Sequence, residues 1–446
     1  MPRPVRQAQP QSGSKRASVL IIGGGGREHA IAWKLKQSSK VERLFCAPGN
    51  AGIAKIARTV NIKPTDIKGL SDFALENRID LTVVGPEVPL ALGIVDEFNK
   101  HRLKIFGPNK VAAQLESSKI FAKEFMRKYR IPTAPFKSFT SSGAAIGFCK
   151  SAEFPLVIKG DGLANGKGVF VVRNFAEAAD IIYQVMEKGL IGEAGKKIIV
   201  ESFLVGQEVS IMALCDGKTL LPFPPSQDHK QAFDGDKGPN TGGMGAYSPA
   251  EFVTPELMED ITSHILNQVL RGFEKENMIY RGTIYAGLML TQNGPKVLEF
   301  NCRFGDPETQ AVIPLLRSDL FDILMATAAG KLQSVGKLNW RNQVSACVVM
   351  ASKGYPGKYR TGLRITGIDT KLGNGSYIFH AGTEKRGDDW VTAGGRVLGL
   401  VGIDNTLKLA LNRAYDLVKR IRFEGAMYRR DIGFRAQQPR QEVVKS

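Results

Sequence analysis

Hydrophobic positions along this 446-residue chain gather in short continuous runs, set apart by polar or helically spaced stretches. The first run, Ser18–Ile22, predicts a buried strand that enters a glycine cluster at Gly23–Gly26 and then a helix through Trp33 and Leu35. Further runs at Arg43–Cys46, Asp80–Val84 and Lys104–Pro108 repeat the rhythm. Strands alternating with helices at this spacing predict a doubly wound parallel sheet of about 100 residues. Ligands on such a sheet sit at the carboxyl ends of its strands, which places Gly25, Arg27, Asn50 and Glu87 around one mouth.

Beyond that sheet the pattern changes. A helix at Gln114–Arg130 leads into Ile131–Pro135, a linker with two prolines. Phe154–Val172 reads as strand, glycine-rich loop, strand, with Lys159 at the end of the first strand and Lys167 inside the loop. Glycines let a backbone approach phosphates closely and the two ammonium groups supply charge. The spacing is not that of a Walker A loop. Strands at Lys197–Leu204 and Glu208–Met212 flank a short turn, an arrangement able to hold adenine by backbone groups and a ribose hydroxyl by carboxylate.

Residues 222–249 form the densest polar segment, and Phe233, Met244 and Tyr247 among its glycines argue for a loop that packs. A helix at Pro255–Glu276 and a strand at Gly282–Leu290 follow. After Gly330, strands near 343–350, 377–381 and 396–401 and a helix at Leu407–Ile421 predict a small α+β domain. A chain of this length divides into about three or four domains.

Composition removes several classes. No apolar run approaches the roughly 20 residues that span a bilayer, and residues 1–17 lack the apolar stretch of a signal peptide. The five cysteines are scattered without a Cys-x-x-Cys pair, which predicts reduced thiols in a cytoplasmic protein and no zinc site. The net charge of +18 invites a nucleic-acid reading. Part of it sits at Arg3, Arg6, Lys15 and Arg16 and at Arg435, Arg440 and Lys445, and no basic block interleaves with aromatics. A surface attracting phosphorylated metabolites accounts for the charge as well. A nicotinamide enzyme is disfavoured too: with Gly23 and Gly25 as the first two glycines of a dinucleotide fingerprint, the third falls on Glu28.

The sharpest chemistry lies in Lys296–Gln310. Val297, Leu298 and Phe300 read as a buried strand, so Glu299, Asn301 and Arg303 project to one side. A carboxylate and an amide oxygen suit magnesium, which takes one or two protein carboxylates and fills its other sites with phosphate and water. The arginine can grip a phosphate or carboxylate bidentately.

Taken together, Gly23–Ala30, Ala47–Gly52, Gly85–Leu90, Gln114–Lys119, Lys159–Val169, Asp228–Pro249 and Glu299–Gln310 resemble the ATP-grasp superfamily, over about residues 18–434. The resemblance implies an α/β and α+β multidomain protein: a disordered tail (1–17), an N-terminal doubly wound α/β substrate domain (18–120), an ATP-grasp lid subdomain (121–205), a central catalytic domain (206–337), a small C-terminal α+β domain (338–434) and a flexible tail (435–446). It implies ATP-dependent ligation of glycine to 5-phosphoribosylamine through glycyl phosphate, in de novo purine biosynthesis, by a cytoplasmic monomer that uses Mg2+ or Mn2+ and ATP as co-substrate. Neither nucleic acid nor membrane is an expected partner, and at this length no fusion to downstream purine enzymes is expected.

Carried onto these residues, Lys119, Lys159 and Lys167 would hold nucleotide phosphates, and Glu201, Leu204 and Glu208 the adenosine. Glu299 and Asn301 would bind metal; Asp228, Lys230, Asn240, Thr241 and Arg303 would surround phosphoribosylamine and glycine, helped by Gly25 and Arg27. The chain departs from the family pattern at Gly160 and Asn165, where alanine is usual, and at Gln231, where arginine is usual. Related ligases carry a further acidic metal ligand on the preceding strand, and Tyr285–Leu290 offers none. Other readings are another ATP-grasp carboxylate ligase, of the carboxyaminoimidazole or biotin-carboxylating type, and a non-enzymatic nucleotide- or RNA-binding protein.

Overall fold

A computed structural model describes residues 16–163 and 168–437. Lys167, Asn165 and most of both tails lie outside the described residues.

The strand Ala17–Gly23 is central because Val19–Ile22 bury completely, leaving no face for water. It pairs in parallel with Val41–Pro48 on one side and Leu81–Val84 on the other; Arg58–Thr59 and Ile105–Pro108 lie outside these. The helices Gly26–Leu35, Ile67–Glu76, Glu87–Leu92 and Ile94–Lys100 follow its strands, which makes the doubly wound sheet expected from the rhythm of apolar runs. The sheet does not stop there. Ile105–Pro108 pairs antiparallel with Tyr280–Thr291, which pairs in turn with Gln207–Cys215 and Gly294–Asn301. One nine-stranded sheet thus carries the strand bearing Glu299 and Asn301 into register with the N-terminal fold.

A separate four-stranded antiparallel sheet, in the order Phe136–Phe139, Ile198–Ser202, Leu156–Gly160, Val169–Val172, packs on the helices Ser142–Cys149 and Phe175–Met186 around Ile158, Ile182, Ile198 and Val200. A six-stranded sheet closes the chain, with Val344–Ser352 and Arg396–Asp404 at its centre and the helix Leu407–Arg420 against it. A small three-stranded sheet, Arg364–Ile365, Asp389–Thr392 and Thr383–Arg386, stands beside it.

Several expectations change. Residues 222–249 are not one long loop. Gln231–Phe233 and Lys237–Asn240 form a hairpin, while Gln227–Asp228 and Gly245–Ser248 join the six-stranded sheet. Met244 and Tyr247 are buried as expected but Phe233 is exposed. Dense turn residues hid strands of two to four residues, too short to show a period. The hairpin is tied to the C-terminal segment: Arg429, fully buried, pairs at 2.8 Å with both Asp236 and Asp431, and Arg435 joins Asp236. Arg435 therefore belongs to a short helix, Phe434–Gln437, rather than to a free tail.

The helix expected over Gln114–Arg130 breaks at Ser118, whose backbone is extended (φ −135°, ψ 113°). Ser118 caps Lys119–Lys128 by accepting from the Phe121 N–H, and its hydroxyl donates to Asp161 at 2.8 Å. The Pro255–Glu276 helix is likewise interrupted, by a π-helical turn at Thr262–Leu266. Gly25 donates to the Glu28 carboxylate at 2.6 Å, so the loop caps itself.

Candidate active site

The three sheets leave one large cleft of about 940 Å3 between them, within the range of small-molecule sites. The four-stranded sheet supplies Val157, Lys159, Ile199 and Glu201 to one wall. The nine-stranded sheet supplies Glu208, Tyr285, Glu299 and Asn301, and the C-terminal sheet and its loops supply Asp228, Tyr355 and Arg396.

Charge is distributed in three groups. In the first, Glu201 lies buried between Lys159 (2.5 Å) and Lys123, and Lys159 also donates to the Leu298 carbonyl at 3.0 Å. In the second, Lys230 stands 3.5 Å from Glu208 and 3.7 Å from Glu299. Burial opposes charge on both Lys230 and Glu299, yet their neighbours win. Glu208 and Glu299 hold Lys230 well above its usual range, and Lys230, Lys159, Lys119 and Arg303 hold Glu299 down at about 2. In the third, Arg303 lies 3.2 Å from Glu87 and 3.0 Å from Glu116. Burial pushes Glu116 up to about 7 in spite of Arg303, while Arg303 and Arg27 outweigh burial at Glu87 and hold it below the usual carboxylate range.

The cleft wall brings together Arg27, Lys119, Lys159, Glu201, Leu204, Glu208, Asp228, Lys230, Asn240, Thr241, Glu299, Asn301 and Arg303. Gly25 is not among them; it lies behind, where a Cβ would come 3.5 Å from the Asp306 carboxylate. Asn50 also stands back from the wall, donating to the Gly24 and His380 carbonyls at 2.8 Å. Arg27 spends donors on Glu28 (2.6 Å) and the Phe304 carbonyl (3.1 Å). Arg303 does not present a free bidentate fork: three of its five N–H groups donate within the protein, to Glu87, the Phe304 carbonyl and Asn301. The Glu201 carboxylate is likewise spent on its two lysines, which leaves backbone, not carboxylate, to meet a nucleotide there.

Loop geometry closes the far side. The Thr241 hydroxyl donates to the Lys230 carbonyl (2.8 Å) and accepts from the Gly243 N–H (3.0 Å). Gly243 has φ +109°, and a Cβ there would meet Pro307 at 2.4 Å and Asp228 at 2.8 Å, so only glycine lets the chain pass over Asp228. Gly160 answers one departure from the family pattern. A Cβ would lie 2.3 Å from Ile191 and 2.7 Å from the Ala194 carbonyl, so the space alanine would use is filled. Gln231 lines the cleft, and its carbonyl accepts from Arg429 at 3.3 Å.

Sequence reasoning missed Glu116, Lys123, Tyr285, Glu308 and Arg396 as cleft residues. Glu116 and Glu308 lay within quoted segments, and Lys123 follows Lys119 at one helical turn, which was a usable signal. Arg396 gave none: it reaches Asp306 (3.1 Å) and the Gly242 carbonyl (2.5 Å) from a strand distant in the chain. Tyr285–Leu290 offers no acid, and the Tyr285 hydroxyl instead donates at 2.8 Å to Glu308, which Ser210 also contacts at 3.3 Å. Burial and the Glu308 charge push the Asp228 carboxyl up, against Lys230.

Among the described residues no cluster of three or more His, Cys, Asp or Glu is arranged to hold a metal. Glu299, ionised and partly exposed to the cleft, and the Asn301 amide oxygen form an oxygen-only pair, which fits a hard cation that takes its remaining ligands from nucleotide phosphates and water.

A sheet of grasping strands closed over a lysine-lined, oxygen-liganded cleft defines a nucleotide-using enzyme of the ATP-grasp class. Family models for phosphoribosylglycinamide synthetase match almost the whole chain: the N domain at 17–116, the ATP-grasp (A) domain at 117–309 and the C domain at 345–435. The chain belongs to the phosphoribosylglycinamide synthetase family. It is 50% identical over 414 residues, 93% of its length, to the phosphoribosylamine–glycine ligase of Caldanaerobacter subterraneus, of which it covers 99%. A crystal structure of phosphoribosylamine–glycine ligase from Thermotoga maritima superposes with a TM-score of 0.81 at 34% identity, covering 93% of this chain and 100% of that one. The biotin carboxylase domain of Hydrogenobacter thermophilus 2-oxoglutarate carboxylase, solved with MgADP and bicarbonate, shares the fold at a TM-score of 0.71 and 15% identity, covering 93% of this chain and 92% of that one.

Proposed function

We propose that this chain ligates glycine to 5-phosphoribosylamine at the expense of ATP, giving glycinamide ribonucleotide, ADP and phosphate in purine biosynthesis. The observation that carries this reading is the convergence of Lys119, Lys159, Lys230, Glu299 and Asp228 on one cleft in a chain of this family. Lys119, half-buried and donating to the Gly162 carbonyl (3.0 Å), and Lys159 flank the phosphate path, with Lys167 close to Lys159 in sequence. The apolar wall of Val157, Ile199 and Leu204 receives adenine, and Glu208 the ribose hydroxyls.

Glu299 and Asn301 hold Mg2+, or Mn2+, whose charge when bound neutralises the transferring phosphoryl group. Asp228, Lys230, Asn240, Thr241 and Arg303 surround the glycine carboxylate and the sugar amine. Arg27 contributes from the first domain, and Gly25 acts through the backbone behind it. Glycine is activated as glycyl phosphate: its carboxylate oxygen bonds the γ-phosphorus as ADP leaves, then the amine attacks the carbonyl carbon and phosphate departs. No protein nucleophile is needed, and positioning with charge neutralisation carries the rate. All the cleft residues named above come from one chain, which is compatible with a monomer. Five buried, unpaired cysteines fit a reducing cytoplasm, and no helix among the described residues is long and apolar enough to cross a membrane.

The test is phosphate release from ATP and magnesium with glycine and freshly generated phosphoribosylamine, together and singly. Release that requires both substrates is expected. No release with either substrate, from protein shown to be folded, would point to another amine or acid acceptor within the same fold.

A further inference from the structure

Arg303 sits at the end of the strand Gly294–Asn301, yet the groups that hold it come from elsewhere in the chain. Glu87 opens the helix Glu87–Leu92 of the N-terminal fold, and its carboxylate accepts from the Arg303 Nε at 3.2 Å. Glu116 lies in Gln114–Ser117, the short helix before the Ser118 break. One of its oxygens lies 3.0 Å from the Arg303 Nη2, while the other accepts from the Cys302 N–H at 2.7 Å. Glu116 is thereby anchored to the backbone next to Asn301 and to the guanidinium at once. On its remaining side Arg303 donates from Nη2 to the Asn301 amide oxygen at 3.0 Å and from Nη1 to the Phe304 carbonyl at 3.2 Å.

A guanidinium has donors only, so the group of Asn301 that faces it must be the oxygen and not the NH2. An amide oxygen has two acceptor positions. The arginine takes one and leaves the other for a cation; the reversed amide would offer that cation an N–H dipole instead. We propose that Glu87 and Glu116 are positioning residues that act through Arg303 to fix the Asn301 amide with its oxygen as a metal ligand. The inference rests on the reading of Asn301 as a metal ligand given above. In this arrangement the N-terminal fold, which supplies Glu87, sets the affinity of the metal strand for the cation, and Arg303 orients Asn301 in addition to facing the substrates. Supporting partners of this kind commonly change metal affinity by about 10–100-fold when removed.

The test measures ADP binding by calorimetry with and without Mg2+, in the full chain. In the unsubstituted protein Mg2+ should tighten ADP binding; if it does not, the metal reading fails and the inference with it. Glu116→Gln keeps the size of the side chain and Glu87→Gln changes a group at the cleft rim, so at least one is expected to fold, as circular dichroism would check. Each should reduce the Mg2+-dependent gain in ADP affinity by roughly tenfold while leaving ADP affinity without Mg2+ unchanged. A merely structural role would lower both affinities together. In an Asn301→Ala background, Glu116→Gln should then have little further effect on the Mg2+-dependent gain. An undiminished gain in both single variants, or a full additional loss in the Asn301→Ala background, would overturn the proposal.

Discussion

Two clusters of opposite charge face each other across the cleft, and they are built differently. Lys123, Glu201 and Lys159 are sealed: the Glu201 side chain is 3% exposed and its contacts are short. Glu208, Lys230 and Glu299 are open, with side chains 33%, 25% and 36% exposed and separations of 3.5 and 3.7 Å. A sealed triad has traded its hydration for fixed partners, and removing one partner strands a charge in a medium that cannot solvate it. An open triad keeps water within reach and can exchange a lysine for a cation and phosphates without unfolding anything. The sealed cluster is therefore a fixed wall of the cleft, and the open cluster is where ligand-dependent rearrangement is cheap.

The largest expected effect tests the open side. Glu299→Gln should lower turnover by roughly 10^2–10^3-fold, the size usual for losing one electrostatic group at the reacting centre, with the thermal midpoint nearly unchanged. Near-normal phosphate release from that variant would remove Glu299 from the metal site. On the sealed side the effect should move from rate to stability. Glu201→Ala leaves two buried ammonium groups without their carboxylate and should cost about 3–5 kcal/mol in urea unfolding, whereas Glu208→Ala should stay within about 1 kcal/mol. Equal losses in the two variants would abolish the distinction between the clusters.

Lys159→Ala sharpens the contrast, since Lys159 belongs to the sealed triad and also lines the cleft. Removing a charge-assisted hydrogen bond to phosphate should weaken ATP binding by about 10–100-fold, and an unaltered ATP dissociation constant would confine Lys159 to a structural part.

The smallest effect concerns titratable groups that belong to neither cluster. Burial holds His29 at about 4, and His229 and His380 at about 3. Their folded values lie below the unfolded value of about 6.5, so the unfolded chain binds more protons and the stability they confer, complete above pH 6.5, declines as pH falls toward 4. Unfolding at pH 5.5 should therefore take up protons. Replacing His29 by Gln should reduce that uptake, and unchanged uptake would mean that His29 is charged in the folded protein.

Much of the architecture was legible in the chain because burial on both faces of a parallel strand leaves a direct mark: Val19–Ile22 is apolar without interruption, and Leu81–Val84 is broken only by the buried Thr82. Glu299 and Asn301 were legible for a related reason, as polar residues at period two closing an apolar strand. Short strands in the 227–248 segment were not, since two to four residues carry no measurable period. The partners of Arg303 were equally hidden: Glu87 is 216 residues away in sequence and Glu116 is 187, and no local pattern encodes a distance closed by folding.

By itself, then, the order of residues determined which long segments are strands, which loops carry lysines and glycines, and which strand bears Glu299 and Asn301, because these follow from side-chain alternation and backbone freedom within a few residues. Only the tertiary structure decided how those side chains are spent. It turned the Gly25 N–H inward to Glu28, sealed Glu201 beneath two lysines and engaged Arg303 with Glu87 and Asn301. Those outcomes depend on which buried charges meet, and a buried charge is stable only where a distant segment supplies its partner.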